Sequence, residues 1–135
     1  MLNSIGSFVV ALGILVFLHE LGHYVVARWC GVRVVQFSVG FGKPVFTFTR
    51  RKTGVAWTVG WIPLGGFVRM LDERDAESVA AAPGVPLTQA FNRKKVWQRI
   101  AIVLAGPVAN LLVAWLLYAV LAFLQTVALA PVAAQ

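Results

Sequence analysis

The sequence predicts an α-helical membrane protein: two transmembrane helices with a β-rich, cytoplasmic and membrane-associated insertion between them. Three observations carry this expectation. Hydrophobic residues fill 59% of the 135 positions and the mean hydropathy is +0.79, well above the roughly 45–50% apolar usage of soluble domains. Two stretches, residues 5–29 and 100–135, are long enough to cross a bilayer, and the second contains no charged residue. All twelve Lys and Arg fall between Arg28 and Arg99, in the segment that separates the two stretches.

That confinement also decides between partners. A formal charge of +7 would ordinarily suggest nucleic acid, but basic residues bracketed by two apolar runs obey the positive-inside rule. Membrane lipid, and no nucleic acid, is the expected partner. Residues 30–98 are placed in the cytoplasm and both termini on the far side of the membrane. Trp29 closes the first run and Trp97 opens the second, where an interfacial aromatic belt sits on the same side. Cys30 is the only cysteine, which leaves no disulfide framework and no Cys-based metal site.

Residues 1–30 form the first predicted helix. From residue 5 to 29 it would measure about 37 Å, slightly more than a ~30 Å hydrocarbon core. A cleaved signal peptide is disfavoured, because residues 1–7 carry no positive charge and no small-residue cleavage site follows Leu18. Residues 31–71 change to a β pattern, in which Val35, Phe37, Val39 and Phe41 alternate with smaller or polar neighbours. Short strands are expected there, with Arg51, Lys52, Thr53 and Gly54 as a hairpin turn.

Residues 72–87 are acidic and then rich in Ala and Pro, which reads as a mobile linker. Residues 88–99 place Arg93, Lys94 and Lys95 beside Phe91, Val96 and Trp97, the composition of a short interfacial helix on anionic headgroups. Residues 100–129 form the second span and 130–135 a tail. Within that span Pro107 removes one helical hydrogen bond, so a kink is expected, and Asn110 needs a partner on a neighbouring helix.

The chemistry concentrates in His19, Glu20 and His23. Four residues apart on a helix, the two imidazoles are offset by about 40° and stand about 6 Å apart along the axis, so both can reach one ion. Glu20 projects about 100° from His19, close enough to a metal-held water without being forced to coordinate the metal. This is the zincin arrangement, with Zn2+ as cofactor, His19 and His23 as ligands and Glu20 as the catalytic base. Taken singly, each residue has a simpler reading: a hydrogen-bonding His at a helix interface, or a Glu acting as proton relay. Together they call for a shared cation, because a charged side chain at membrane depth costs about 2.5–3.5 kcal/mol even on lenient scales.

Several further motifs occur in order. They are His19-Glu20-Leu21-Gly22-His23, then Val39-Gly40-Phe41-Gly42-Lys43, then Ile62-Pro63-Leu64-Gly65-Gly66-Phe67-Val68-Arg69-Met70. Ala90-Phe91-Asn92, Gln98-Arg99 and Gly106-Pro107-Val108-Ala109-Asn110 follow. Between Phe17 and Asn110 the chain resembles the site-2 protease family of intramembrane zinc metalloproteases, with the bacterial sigma-E regulators as the nearest subgroup. The resemblance implies His19 and His23 as zinc ligands and Glu20 as the base. It implies that the β-rich segment guides the substrate, a single-pass membrane protein such as an anti-sigma factor or a remnant signal peptide. It also implies a bacterial inner membrane, with both termini periplasmic.

One departure matters. The family takes a third zinc ligand from an Asp on a later helix, and the motif that carries it is absent here, as are the PDZ domains of the nearest subgroup. The expectation is therefore an N-terminal portion that needs a further part to supply the third ligand and is inactive alone. Two rival readings remain: a metal-binding membrane subunit of a transporter or sensor, and a non-catalytic pseudo-protease scaffold.

Overall fold

A computed structural model describes residues 1–133 of the chain. Helix α1 (Leu2–Trp29) is followed by strands β1 (Val34–Arg50) and β2 (Val55–Met70), a short helix α2 (Ala76–Ala80), two 3-10 turns (Leu87–Gln89 and Phe91–Arg93) and helix α3 (Val96–Ala133). α1 and α3 are each long and apolar enough to cross a membrane, and their outer faces are open, with Phe8 64% and Trp115 70% exposed.

The short strands expected for residues 31–71 are joined into two long ones that fold back on each other as an antiparallel pair. The register shows how. Residues Gln36 to Val39 have one set of partners ascending from Ala56 to Val59 and a second set descending from Arg69 to Gly66. The start of β1 thus lies between the two halves of β2, while Phe46 to Arg50 pair with Val59 to Val55 beyond it. Residues 66–70 have a strand partner on one side only among the described residues, so they form an edge. The hairpin turn falls where the sequence placed it: Gly54 takes φ +66° and its N–H donates to the Arg50 carbonyl at 2.8 Å.

Aromatic packing fastens the sheet to α1. Phe37 is 1% exposed, stacks on Trp57 at a centroid distance of 4.5 Å and meets Phe17 and Tyr24 edge-on. Ala27, Val32, Val34, Val55 and Ile102 complete this core, which therefore joins α1, the sheet and α3.

The segment expected to be a mobile linker is folded. Val35 packs with Leu71, Ala82 and Ala90 in a second apolar cluster. The Asp75 side chain caps α2 by accepting from the Glu77 N–H, and the fully buried Ser78 accepts from the Asp72 N–H at 3.0 Å. Arg69 pairs with Asp75 and Glu77, Arg74 with Asp72, and Arg93 with Glu73. The segment reads as a linker in the sequence because a partner that completes its core, Val35, comes from a distant part of the chain.

Nor do residues 88–98 form a helix of their own. Lys94 adopts an extended backbone (φ −77°, ψ 155°) that ends the second 3-10 turn, and α3 starts afresh at Val96. α3 is helical through Pro107 and through residues 130–133, which the sequence set apart as a tail; the last two residues lie outside those described.

Candidate metal centre

α1 carries His19 and His23 one turn apart, and their rings stand 4.9 Å apart between centroids with planes at 79°. α3 runs antiparallel beside them and determines what each ring can do. His23 Nδ1 donates to the Ile102 carbonyl oxygen at 2.7 Å. A carbonyl only accepts, so Nδ1 carries a proton, and in the neutral ring that leaves the lone pair on Nε2. His19 Nδ1 faces the Asn110 side-chain amide at 3.1 Å, the partner on a neighbouring helix that Asn110 needed.

With both Nδ1 atoms held by α3, both Nε2 atoms turn to the same gap. The gap exists because residue 106 is glycine: a β-carbon built there would fall 2.6 Å from His19 Nε2 and closer still to His23 Nε2. Two imidazole nitrogens that converge on one point beside Gly106 suit a borderline-soft divalent ion such as Zn2+. The residues present therefore fit the metal. Gly106 and Pro107 stood out in the sequence as a kink signal and as part of a motif shared with the resembled family; that Gly106 borders the imidazoles was not legible there.

Glu20 stands between this gap and the sheet. It lines a cleft of about 400 Å³ shared with His23, Phe67, Met70 and Ile102. It also lines a second cleft, of about 270 Å³, shared with His19, Phe41 and Asn110. Gly66, on the sheet edge, borders both. The Glu20 Cγ would lie 3.3 Å from a β-carbon on Gly66, so glycine lets the edge strand approach the carboxylate stem. The sequence singled out Glu20 but not Gly66, because nothing local indicates which strand becomes the edge.

The remaining carboxylates are engaged elsewhere. Asp72 borders the larger cleft, but its oxygens accept from Arg74 Nε at 2.9 Å and Nη2 at 2.7 Å. The Arg74 hydrogen bond holds the Asp72 carboxyl below its ordinary range, and the Arg93 hydrogen bond does the same for Glu73. Among the described residues no third His, Cys, Asp or Glu joins His19 and His23 to form a three-ligand group.

Known proteins are similar to this chain in sequence. Residues 7–134 match the family model described as peptidase family M50. A Xylella fastidiosa protein whose name places it among zinc metalloproteases is 54% identical over 120 residues, 89% of this chain and 26% of the relative. The regulator of sigma-E protease RseP of Escherichia coli is 50% identical over 121 residues, 85% of this chain and 25% of the relative. Protease RseP of Yersinia pestis is 53% identical over 115 residues, 85% of this chain and 24% of the relative. The chain thus spans about a quarter of the length of the curated relatives it matches.

Proposed function

The chain belongs to peptidase family M50, and from that premise we propose that it forms the zinc-binding part of an intramembrane metalloprotease acting on single-pass membrane proteins. The observation that carries this reading is the convergence of His19 Nε2 and His23 Nε2 on the gap over Gly106, with Glu20 beside them. Zinc bound there supplies Lewis acidity toward a peptide carbonyl and makes a water acidic enough to lose its proton near neutral pH.

The chain's own residues supply the rest. His19 and His23 hold the metal, and the Glu20 carboxylate accepts the proton of the attacking water and delivers it to the departing amine nitrogen. Catalytic zinc sites usually have three protein ligands, so a carboxylate from a further segment completes the set. The names of the relatives, zinc metalloprotease and regulator of sigma-E protease, support both the metal and the class of reaction.

In this reading α1 and α3 span a bacterial inner membrane, residues 30–98 face the cytoplasm and both termini are periplasmic. Supporting this are the apolar outer faces of both helices and the confinement of every Lys and Arg to the stretch from Arg28 to Arg99. Residues 31–71 guide the substrate. A peptide bond inside an intact helix is shielded by its own turn, so the substrate must unwind before attack. The free edge at residues 66–70 borders Glu20 and can hold the opened segment by main-chain hydrogen bonds. An anti-sigma factor or a remnant signal peptide has the required single span.

The deciding experiment replaces Glu20 with Gln in the enzyme completed by its third ligand. Zinc content should stay at the wild-type level while cleavage of a membrane substrate falls by orders of magnitude. Near-normal cleavage would end the peptidase reading. Loss of zinc from this variant would point instead to a metal-handling subunit in which Glu20 is itself a ligand.

A further inference from the structure

We propose that Asn110 positions His19: its Oδ1 accepts a hydrogen bond from His19 Nδ1–H, which keeps Nε2 unprotonated and turned to the gap over Gly106. The inference rests on the zinc reading for the state of Nε2, and on the structure for the contact.

The two halves of a side-chain amide have nearly the same shape and exchange by a half-turn, so which atom faces a partner is decided by the hydrogen-bond network. As placed, Asn110 Nδ2 lies 3.1 Å from His19 Nδ1, and Asn110 Oδ1 is buried with no partner. In that orientation Nδ2 donates, Nδ1 must be the lone-pair nitrogen, and the ring proton goes to Nε2, where it points into the gap shared with His23. Such a ring cannot bind a metal through Nε2. The half-turn reverses this: Oδ1, the stranded acceptor, receives the Nδ1 proton, and Nε2 recovers its lone pair.

The neighbouring ring provides an internal control. His23 Nδ1–H donates to the Ile102 carbonyl, which leaves its tautomer no freedom. Ile102, Gly106 and Asn110 follow at four-residue intervals on α3, opposite His23 and His19 on the antiparallel α1. One helix thus holds both rings by Nδ1 and leaves room at both Nε2 atoms. His23 is held by a backbone oxygen that no substitution removes, and His19 by a side chain that can be changed.

The test uses the chain in detergent, labelled with 15N-histidine; its two histidines give two ring signals. At saturating zinc both Nδ1–H protons of the wild type should exchange slowly with solvent. Asn110→Leu should speed exchange at His19, leave His23 unchanged, and weaken zinc binding about 10–100-fold in competition with a chelator, the usual effect of removing a partner of a metal-bound imidazole. Asn110→Asp keeps an acceptor of similar size and should return the affinity to within a few-fold of wild type. Wild-type affinity in Asn110→Leu, an equal loss in Asn110→Asp, or a fast-exchanging His19 Nδ1–H in the wild type would each overturn the proposal. The last of these needs no variant to fold. Absence of zinc binding by the wild type even when a carboxylate ligand is supplied on a second, unlabelled polypeptide would instead bring down the metal reading itself, and this inference with it.

Discussion

Gly22 of α1 lies directly against the backbone of Ala105 on α3: a β-carbon on Gly22 would fall inside contact distance of the Ala105 carbonyl oxygen and 2.8 Å from the Ala109 methyl. This close approach brings Ile102 and Asn110 within reach of the imidazoles. Gly22 and Gly106 therefore serve different ends at one crossing, and their alanine variants should differ. Gly22→Ala should force the helices apart, at a cost of about 1–3 kcal/mol typical of overpacking, and lower both thermal stability and zinc affinity. Gly106→Ala puts a methyl into the gap between the two Nε2 atoms and should weaken zinc at least tenfold. The same methyl also presses on both imidazoles in the metal-free protein, but these are side chains that can turn, whereas Gly22→Ala meets backbone, so the metal-free Gly106→Ala protein should lose less melting temperature than Gly22→Ala. Equal loss of metal-free stability in both variants would contradict the distinction.

The sheet edge yields a second prediction. Val59 pairs with both Val39 and Phe46, so it lies inside the sheet, and proline there would disrupt the fold. Residues 66–70 are the place to test strand addition. Successive amides of a strand point to opposite sides, so one of Phe67→Pro and Val68→Pro removes a ladder hydrogen bond and the other only an edge N–H. The variant that keeps native-like melting and zinc content should lose cleavage about tenfold or more. Full activity in that variant would rule out edge pairing.

Orientation is checked by cysteine labelling in a chain from which Cys30 has been replaced. Positions 53 and 80 should react from the cytoplasmic face, and positions 2 and 133 from the opposite face only. The reverse pattern would overturn the topology.

The isolated chain should hold zinc weakly or below one equivalent and show no measurable proteolysis, since only two ligands converge among the described residues. Supplying a helix that carries a carboxylate ligand on a second polypeptide should raise both. Tight stoichiometric zinc with Glu20-dependent cleavage by the chain alone would mean that an oligomer shares ligands.

Acid should loosen residues 72–93 first. The folded-state pKa of Asp72 is lowered chiefly by the Arg74 hydrogen bond, and that of Glu73 chiefly by the Arg93 hydrogen bond. A depressed carboxylate contributes stability above its unfolded value and loses it as pH falls through the folded one. Amide exchange in this segment, corrected for intrinsic rate, should therefore accelerate below about pH 4 while α1 and α3 stay protected. Unchanged protection at pH 3 would show that the apolar cluster alone holds the segment.

The sequence by itself determined the two apolar helices, the β character between them, the turn at Gly54, and His19, Glu20 and His23 as the candidate centre. These are legible because each is written in a local period or in a spacing within one helix turn. Only the tertiary structure decided which residues surround them. His23 meets Ile102 across 79 positions and His19 meets Asn110 across 91, separations over which no periodicity extends. Gly106 is informative only once α1 lies against it, and the edge at residues 66–70 exists only because β1 is paired on both sides by β2. Residues 72–87 read as a linker for the same reason: Ala82 becomes core only when the distant Val35 closes on it. Local propensity names the groups that can do chemistry, and packing between distant segments decides which protons and spaces they are left with.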